Sequence, residues 1–118
     1  MIPESKWRWF GHAGHLVVGN DCRFHLWTKI GGYIISTVGD YRPKHKNGDG
    51  DMEPIGAGKD SFFETYVFAA GKNDMCGCPY PKYWGEIDGV RYATHEAANA
   101  GHVAYCRKYA KKRPRKAK

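Results

Sequence analysis

The chain has 118 residues, is 42% hydrophobic and 14% aromatic, and carries 19 Lys and Arg against 12 Asp and Glu, a formal charge of +7. One domain with a real core fits this length, while two domains or a disordered polyelectrolyte do not. The basicity is local: residues 107–118 (RKYAKKRPRKAK) hold eight of the basic residues and no acid, so residues 1–106 carry 11 basic and 12 acidic side chains. The expected organisation is a single compact domain over 1–106, its last helix running to about 111, and a basic helix end and tail over 107–118.

No apolar run approaches the roughly 18 residues that span a bilayer, and residues 1–15 (MIPESKWRWFGHAGH) lack a charged segment followed by an apolar one. Both point to a cytoplasmic protein without a membrane partner. Thiols stay reduced there, so Cys22, Cys76, Cys78 and Cys106 read as free thiols or metal ligands, not disulfides.

Near the N-terminus Trp7, Trp9 and Phe10 interleave with Lys6 and Arg8. This pattern suits a short strand that either completes the core or offers aromatic and basic contacts to a partner. His12-Ala-Gly-His15 follows, with Cys22 and His25 further on. Cys22 and His25 are three apart and so face opposite sides of a regular strand, which argues against one ion held by the whole group. His12, His15 and His25 remain a possible second cluster, for a ligand or a catalytic metal.

Residues 15–19 (HLVVG), 22–30 and 33–41 predict an antiparallel meander. Gly31-Gly32 between β-rich runs is hairpin chemistry, read as a type I′ turn with positive φ at both glycines. Pairing across it sets Ile30 opposite Tyr33, Thr28 opposite Ile35 and Leu26 opposite Thr37. Those residues, with Phe24 and Cys22, make one apolar face. The other, with Arg23, His25, Trp27 and Lys29 opposite Ile34, Ser36 and Val38, is mixed.

Residues 42–60 (RPKHKNGDGDMEPIGAGKD) predict a long irregular loop. Asn47, Asp49, Asp51 and Glu53 do not complete an EF-hand and read as a solvated acidic loop. Residues 55–60 (IGAGKD) are not a phosphate loop, because Glu53 stands where the first Gly is needed and Asp60 follows the Lys. Residues 62–69 predict another strand, 71–83 a second loop, and 84–92 a short strand pair around Asp88-Gly89. Thr94 is a good N-cap for a helix from His95 to about Lys111, with Ala98, Gly101, His102, Tyr105, Cys106 and Tyr109 on one face. The fold class is α+β: a small antiparallel sheet, a meander with a Gly-Gly hairpin, packed against one C-terminal helix.

His102 and Cys106, four apart on that helix, share a face, and Cys76-Gly-Cys78 in the preceding loop could complete a tetrahedral zinc site. The spacing is not the usual C-x₂-C. The same residues also read as a satisfied core histidine, a small buried thiol and two loop thiols. A nucleobase deaminase is excluded, since His95 and Glu96 are adjacent and no P-C-x-x-C follows. In the tail, Lys111, Lys112, Arg113, Arg115, Lys116 and Lys118 would gain from counterion release on a nucleic acid. Residues 111–116 (KKRPRK) would also pass as a nuclear-import signal.

The series WRWFGHAGH (7–15), CRFHL (22–26), YIISTVGDY (33–41), ETYVF (64–68) and GHVAYC (101–106) resembles a family of small uncharacterised proteins encoded in bacteriophages and prophages. The resemblance spans most of residues 7–106 and implies a host cytoplasm and an accessory role such as counter-defence. It assigns no catalytic residue, and the basic tail and acidic loop lie outside it. The resulting expectation is a non-enzymatic binding module for nucleic acid or a nucleoprotein, contacted through the tail and through Lys6, Trp7, Arg8 and Trp9. Two alternatives stand beside it: an inhibitor of a host enzyme or defence complex, and a small metal-dependent hydrolase or nuclease.

Overall fold

The computed structural model describes residues 1–10, 22–42, 51–55, 58–72, 79–82 and 85–112. Six strands form the sheet: β1 (Arg8–Phe10), β2 (Cys22–Ile30), β3 (Tyr33–Tyr41), β4 (Phe63–Lys72), β5 (Pro79–Pro81) and β6 (Asp88–Tyr92). Helix α1 (His95–Ala110) follows, and a 3₁₀ turn (Glu4–Lys6) precedes β1. The strands lie in the order β1-β2-β3-β4-β5, all antiparallel, and β6 also pairs with β4. The far edge of β4 is shared: Phe63–Val67 pair with β6 and Ala70–Lys72 with β5.

The Gly-Gly hairpin forms with the expected register, Ile30 opposite Tyr33, Thr28 opposite Ile35 and Leu26 opposite Thr37. Its turn differs in detail. Gly31 has φ +56° while Gly32 is not in the positive region, the pattern of a type II′ turn, which needs a left-handed residue only at its first central position.

One face of the sheet packs on α1. Thr28 and Ile30, Tyr33, Ile35 and Thr37, Phe63, Thr65 and Val67 project from β2, β3 and β4 onto it, and all are 6% exposed or less. The helix answers with Ala98, His102, Cys106, Tyr109 and Ala110, a stripe at helical spacing. Each fully buried Ile or Val here contributes roughly 1.5–3 kcal/mol. Thr94 caps the helix as expected, its Oγ1 accepting from the Ala97 N–H at 3.1 Å. Gly101 lets the helix approach the sheet, because a side chain there would overlap the Tyr92 ring.

The second face is mixed in residue type as its sequence implies, with Arg23 exposed and His25 and Lys29 half-buried, yet its middle is covered. Trp27 and Ile34 are 0% exposed, and Ser36, Val38 and Phe68 are 5% or less. Strand β3 is buried on both sides along nearly its whole length, and β2 is so at Trp27 and Thr28. Such two-sided burial removes the alternation that separates an inner from an outer face.

Three expected elements are corrected. Residues 79–81 are a strand where a loop was expected, since β4 runs past Ala69 to Lys72 and offers them a partner. Asp88-Gly89 begins a strand and does not turn a hairpin. The Tyr66 ring lies across Gly89, leaving no space for a side chain there, and helix side chains hold the Asp88 carboxylate. The stretch 42–60 is not wholly irregular: the Glu53 N–H donates to Tyr41 O at 2.8 Å, and buried Ile55 donates to Ser61 O at 2.7 Å. The expected strand at 15–19, and Asn47 and Asp49, lie outside the described residues.

Candidate nucleic-acid interface

The N-terminal segment meets the last turn of α1, which leads into the basic stretch. The Ile2 N–H donates to the carbonyl of Ala110 at 2.8 Å, closing the last turn of α1 with the N-terminal segment. Trp7 packs in the same core cluster as Tyr109 and Ala110, and its indole N–H donates to Ile2 O at 3.3 Å. Arg107 lies 3.6 Å from Glu4, both side chains being more than 60% exposed, so this pair contributes little. The 3₁₀ turn carrying Lys6 therefore sits beside the helix end from which Lys111 and Lys112 emerge.

Within the aromatic-basic segment the roles divide. Trp7 is 9% exposed and belongs to the core, whereas Trp9 on β1 is 50% exposed. Lys6 and Arg8 are exposed. At the helix end Lys111 and Lys112 are exposed, and the Lys112 ammonium lies 5.0 Å over the Tyr109 ring. Arg113, Arg115, Lys116 and Lys118 lie outside the described residues.

Asp88 is the acidic counterweight of this helix flank, and its sequence context, which reads as a turn, gave no sign of that role. It accepts from Lys108 Nζ at 2.7 Å, the Tyr109 hydroxyl at 3.0 Å, the Gly89 N–H at 2.9 Å and the Tyr105 hydroxyl at 3.4 Å. The Lys108 hydrogen bond, with those of Tyr109 and Gly89, holds its carboxyl below the usual carboxylate range. Lys108 is thereby committed to the fold, while Lys111 and Lys112 follow the end of α1.

The residues proposed for zinc have a different setting. His102 and Cys106 do share the buried face of α1, both 0% exposed. His102 Nε2 lies 2.8 Å from Thr28 Oγ1 and Nδ1 lies 2.7 Å from Thr37 Oγ1, which is 2.6 Å from Thr65 Oγ1. Both ring nitrogens are thus occupied by hydroxyls, and a metal at either would have to displace one. Burial lowers the His102 pKa to about 4, so the ring is neutral, and burial pushes the Cys106 thiol up to about 12. Cys76 and Cys78 lie outside the described residues, and among the described residues no group of three or more His, Cys, Asp or Glu could hold a metal ion.

Of the second cluster, His12 and His15 lie outside the described residues. His25 is half-buried on the sheet face away from α1, in a row with Val38, Glu64 and Arg91. It is on the opposite side of the sheet from His102. Its Nδ1, like the indole nitrogen of Trp27 on the same face, is buried without a hydrogen-bond partner among the described residues.

A third polar group was not foreseen. Asp40, at the end of β3, is a non-glycine residue with φ +53°, a conformation Asp tolerates better than most residues. Its carboxylate accepts from Arg42 Nε at 2.6 Å and faces His95 Nε2 at 3.4 Å. The His95 ring in turn packs edge-on against Phe63 at 4.6 Å. This ties the end of the central hairpin to the start of α1. The Gly39-Asp40 dipeptide, a turn-like pair ending a β-rich run, was the available signal.

No helix among the described residues is long and apolar enough to cross a membrane. Comparison with models of protein families, with curated proteins and with solved structures finds no match.

Proposed function

We propose that the protein binds nucleic acid, alone or as nucleoprotein, through the end of the molecule where the N-terminal segment and the C-terminus of α1 come together. The observation that carries this reading is the juxtaposition itself. Lys6 and Arg8 precede and enter β1, Lys111 and Lys112 leave α1, and the Ile2–Ala110 hydrogen bond holds the two segments side by side. Residues 111–118 carry six basic side chains and no acid. The rest of the chain is close to neutral, so association is driven from this end. A phosphate backbone would gain from counterion release there and from nothing comparable elsewhere.

The test is a salt-titrated binding series with a fluorescent oligonucleotide. The full chain is compared with a chain ending at Lys112 and with a Lys6→Glu/Lys111→Glu/Lys112→Glu variant. Every phosphate that a variant no longer neutralises should flatten the log–log salt dependence by about 0.7–0.9, and both variants should bind at least tenfold more weakly at low salt. Equal affinity and equal slope for all three chains would sink the reading. A host protein retained by the chain after nuclease treatment would then favour the inhibitor alternative.

A further inference from the structure

We propose that the ligand is a single strand, one base of which stacks on the indole of Trp9; this rests on the nucleic-acid reading above and names its substrate class. Trp9, on β1, the outermost of the described strands, pairs with Thr28 on the side of the sheet that carries α1. The helix lies over β2, β3, β4 and β6, so β1 remains at the margin and the indole is 50% exposed. The other exposed large apolar side chains among the described residues are Met1, Ile87 and Val90, none of them aromatic.

The indole is also backed. Its inner side meets the His102 ring, with centroids 5.4 Å apart and planes tilted by 43°. That ring is clamped on both nitrogens by Thr28 and Thr37. An aromatic side chain supported from behind and open in front is a stacking platform, and every base has a π-face to offer it. In a duplex those faces are already stacked on one another, so an exposed indole gains only from an unpaired base.

Charge is placed to hold the strand that carries the base. Lys6 lies just ahead of Trp9 in the chain and is exposed, while Arg8, opposite Lys29, faces the other side of the sheet. Along α1, the nine residues from His102 to Lys111 span roughly 13 Å at 1.5 Å per residue. A strand stacked at Trp9 reaches Lys111 and Lys112 within a few nucleotides, inside the 4–16 nucleotide sites typical of such grooves. The helix is docked along the sheet, and its exposed side mixes Ala97, Ala100 and Ala104 with Glu96, Asn99 and Arg107, so base-edge reading by α1 is the competing mode that the duplex arm below tests.

The experiment measures binding of the full chain to a 12-nucleotide oligothymidylate and to a 12-base-pair duplex, for wild type, Trp9→Phe and Trp9→Leu. Trp9→Leu keeps apolar bulk without a stacking ring, and Trp9→Phe keeps a ring. Circular dichroism confirms that each is folded. The single strand should bind at least tenfold more tightly than the duplex. Trp9→Leu should lose about tenfold on the single strand and little on the duplex, and Trp9→Phe should keep most of the affinity. If Trp9→Leu binds the strand as wild type does, or if the duplex is preferred, the inference is overturned while the nucleic-acid reading stands. If neither oligonucleotide binds at low salt, both fall together.

Discussion

His102 concentrates the buried polar chemistry of this protein. Its imidazole lies between the hydroxyls of Thr28 and Thr37, with Thr65 extending the chain, in a site 0% exposed. A neutral ring donates from one nitrogen and accepts at the other, which threonine hydroxyls can match, whereas a charged ring would be buried without a carboxylate against it. Burial accordingly depresses its pKa from 6.5 to about 4. In the unfolded chain the ring takes up a proton as pH falls through about 6.5; in the fold it resists until about 4. Over that window the unfolded state holds more protons, so stability falls with falling pH, by a total on the order of 3 kcal/mol from this residue. Urea unfolding at pH 7 and pH 4 should show that loss. His102→Ala should destabilise the fold by about 3 kcal/mol at pH 7, through the cavity and the stranded hydroxyls, and should flatten the pH dependence. A stability unchanged between pH 7 and 4 in the wild type would contradict this account.

At the scale of elements, the edge strand β6 depends on side chains of the helix that follows it. Asp88 receives Lys108, Tyr109 and Tyr105 from two turns of α1, and Tyr92 at the other end of the strand abuts Gly101. An isolated five-residue strand with exposed Val90 has little reason of its own to pair. Asp88→Asn removes the charge while keeping one acceptor. It should cost about 1–2 kcal/mol near neutral pH and speed hydrogen exchange of the β6 amides more than those of β2 and β3. Because the Asp88 carboxyl is held below its ordinary range, its contribution is present above that range and disappears as pH falls through the lowered pKa. The variant should therefore approach the wild type in acid. The same logic explains why Asp88-Gly89 is not a turn: the dipeptide's local preference is overridden by hydrogen bonds made twenty residues away.

At the scale of the whole molecule, the N-terminal segment and the last turns of α1 form one structure. Ile2 closes on Ala110, Trp7 packs against Tyr109 and Ala110, and Glu4 faces Arg107. Deleting residues 1–6 removes the Ile2 hydrogen bond and its packing without touching the sheet. The expected outcome is a midpoint of thermal unfolding lowered by about 5 °C or more, together with weaker nucleic-acid binding than deletion of Lys6 alone would give. An unchanged midpoint would show that the helix end needs no cover. Local pattern was sufficient for much of the architecture. The Gly31-Gly32 hairpin and its register follow from period-two alternation and a turn that only glycine makes easily, and α1 follows from the Thr94 cap and apolar spacing, because these signals act between near neighbours in the chain. The separation of a nearly neutral body from a basic end is likewise a property of the sequence by itself. Tertiary structure alone decided that the middle of the hairpin's mixed face is covered, that Pro79–Pro81 and Asp88–Tyr92 share one edge of β4, that Trp7 is core while Trp9 is open, and that His102 faces threonines. Each of these depends on which other part of the chain arrives to pair with or cover a residue, and for Trp7 and His102 that part is so far along the chain that it leaves no local periodicity to read.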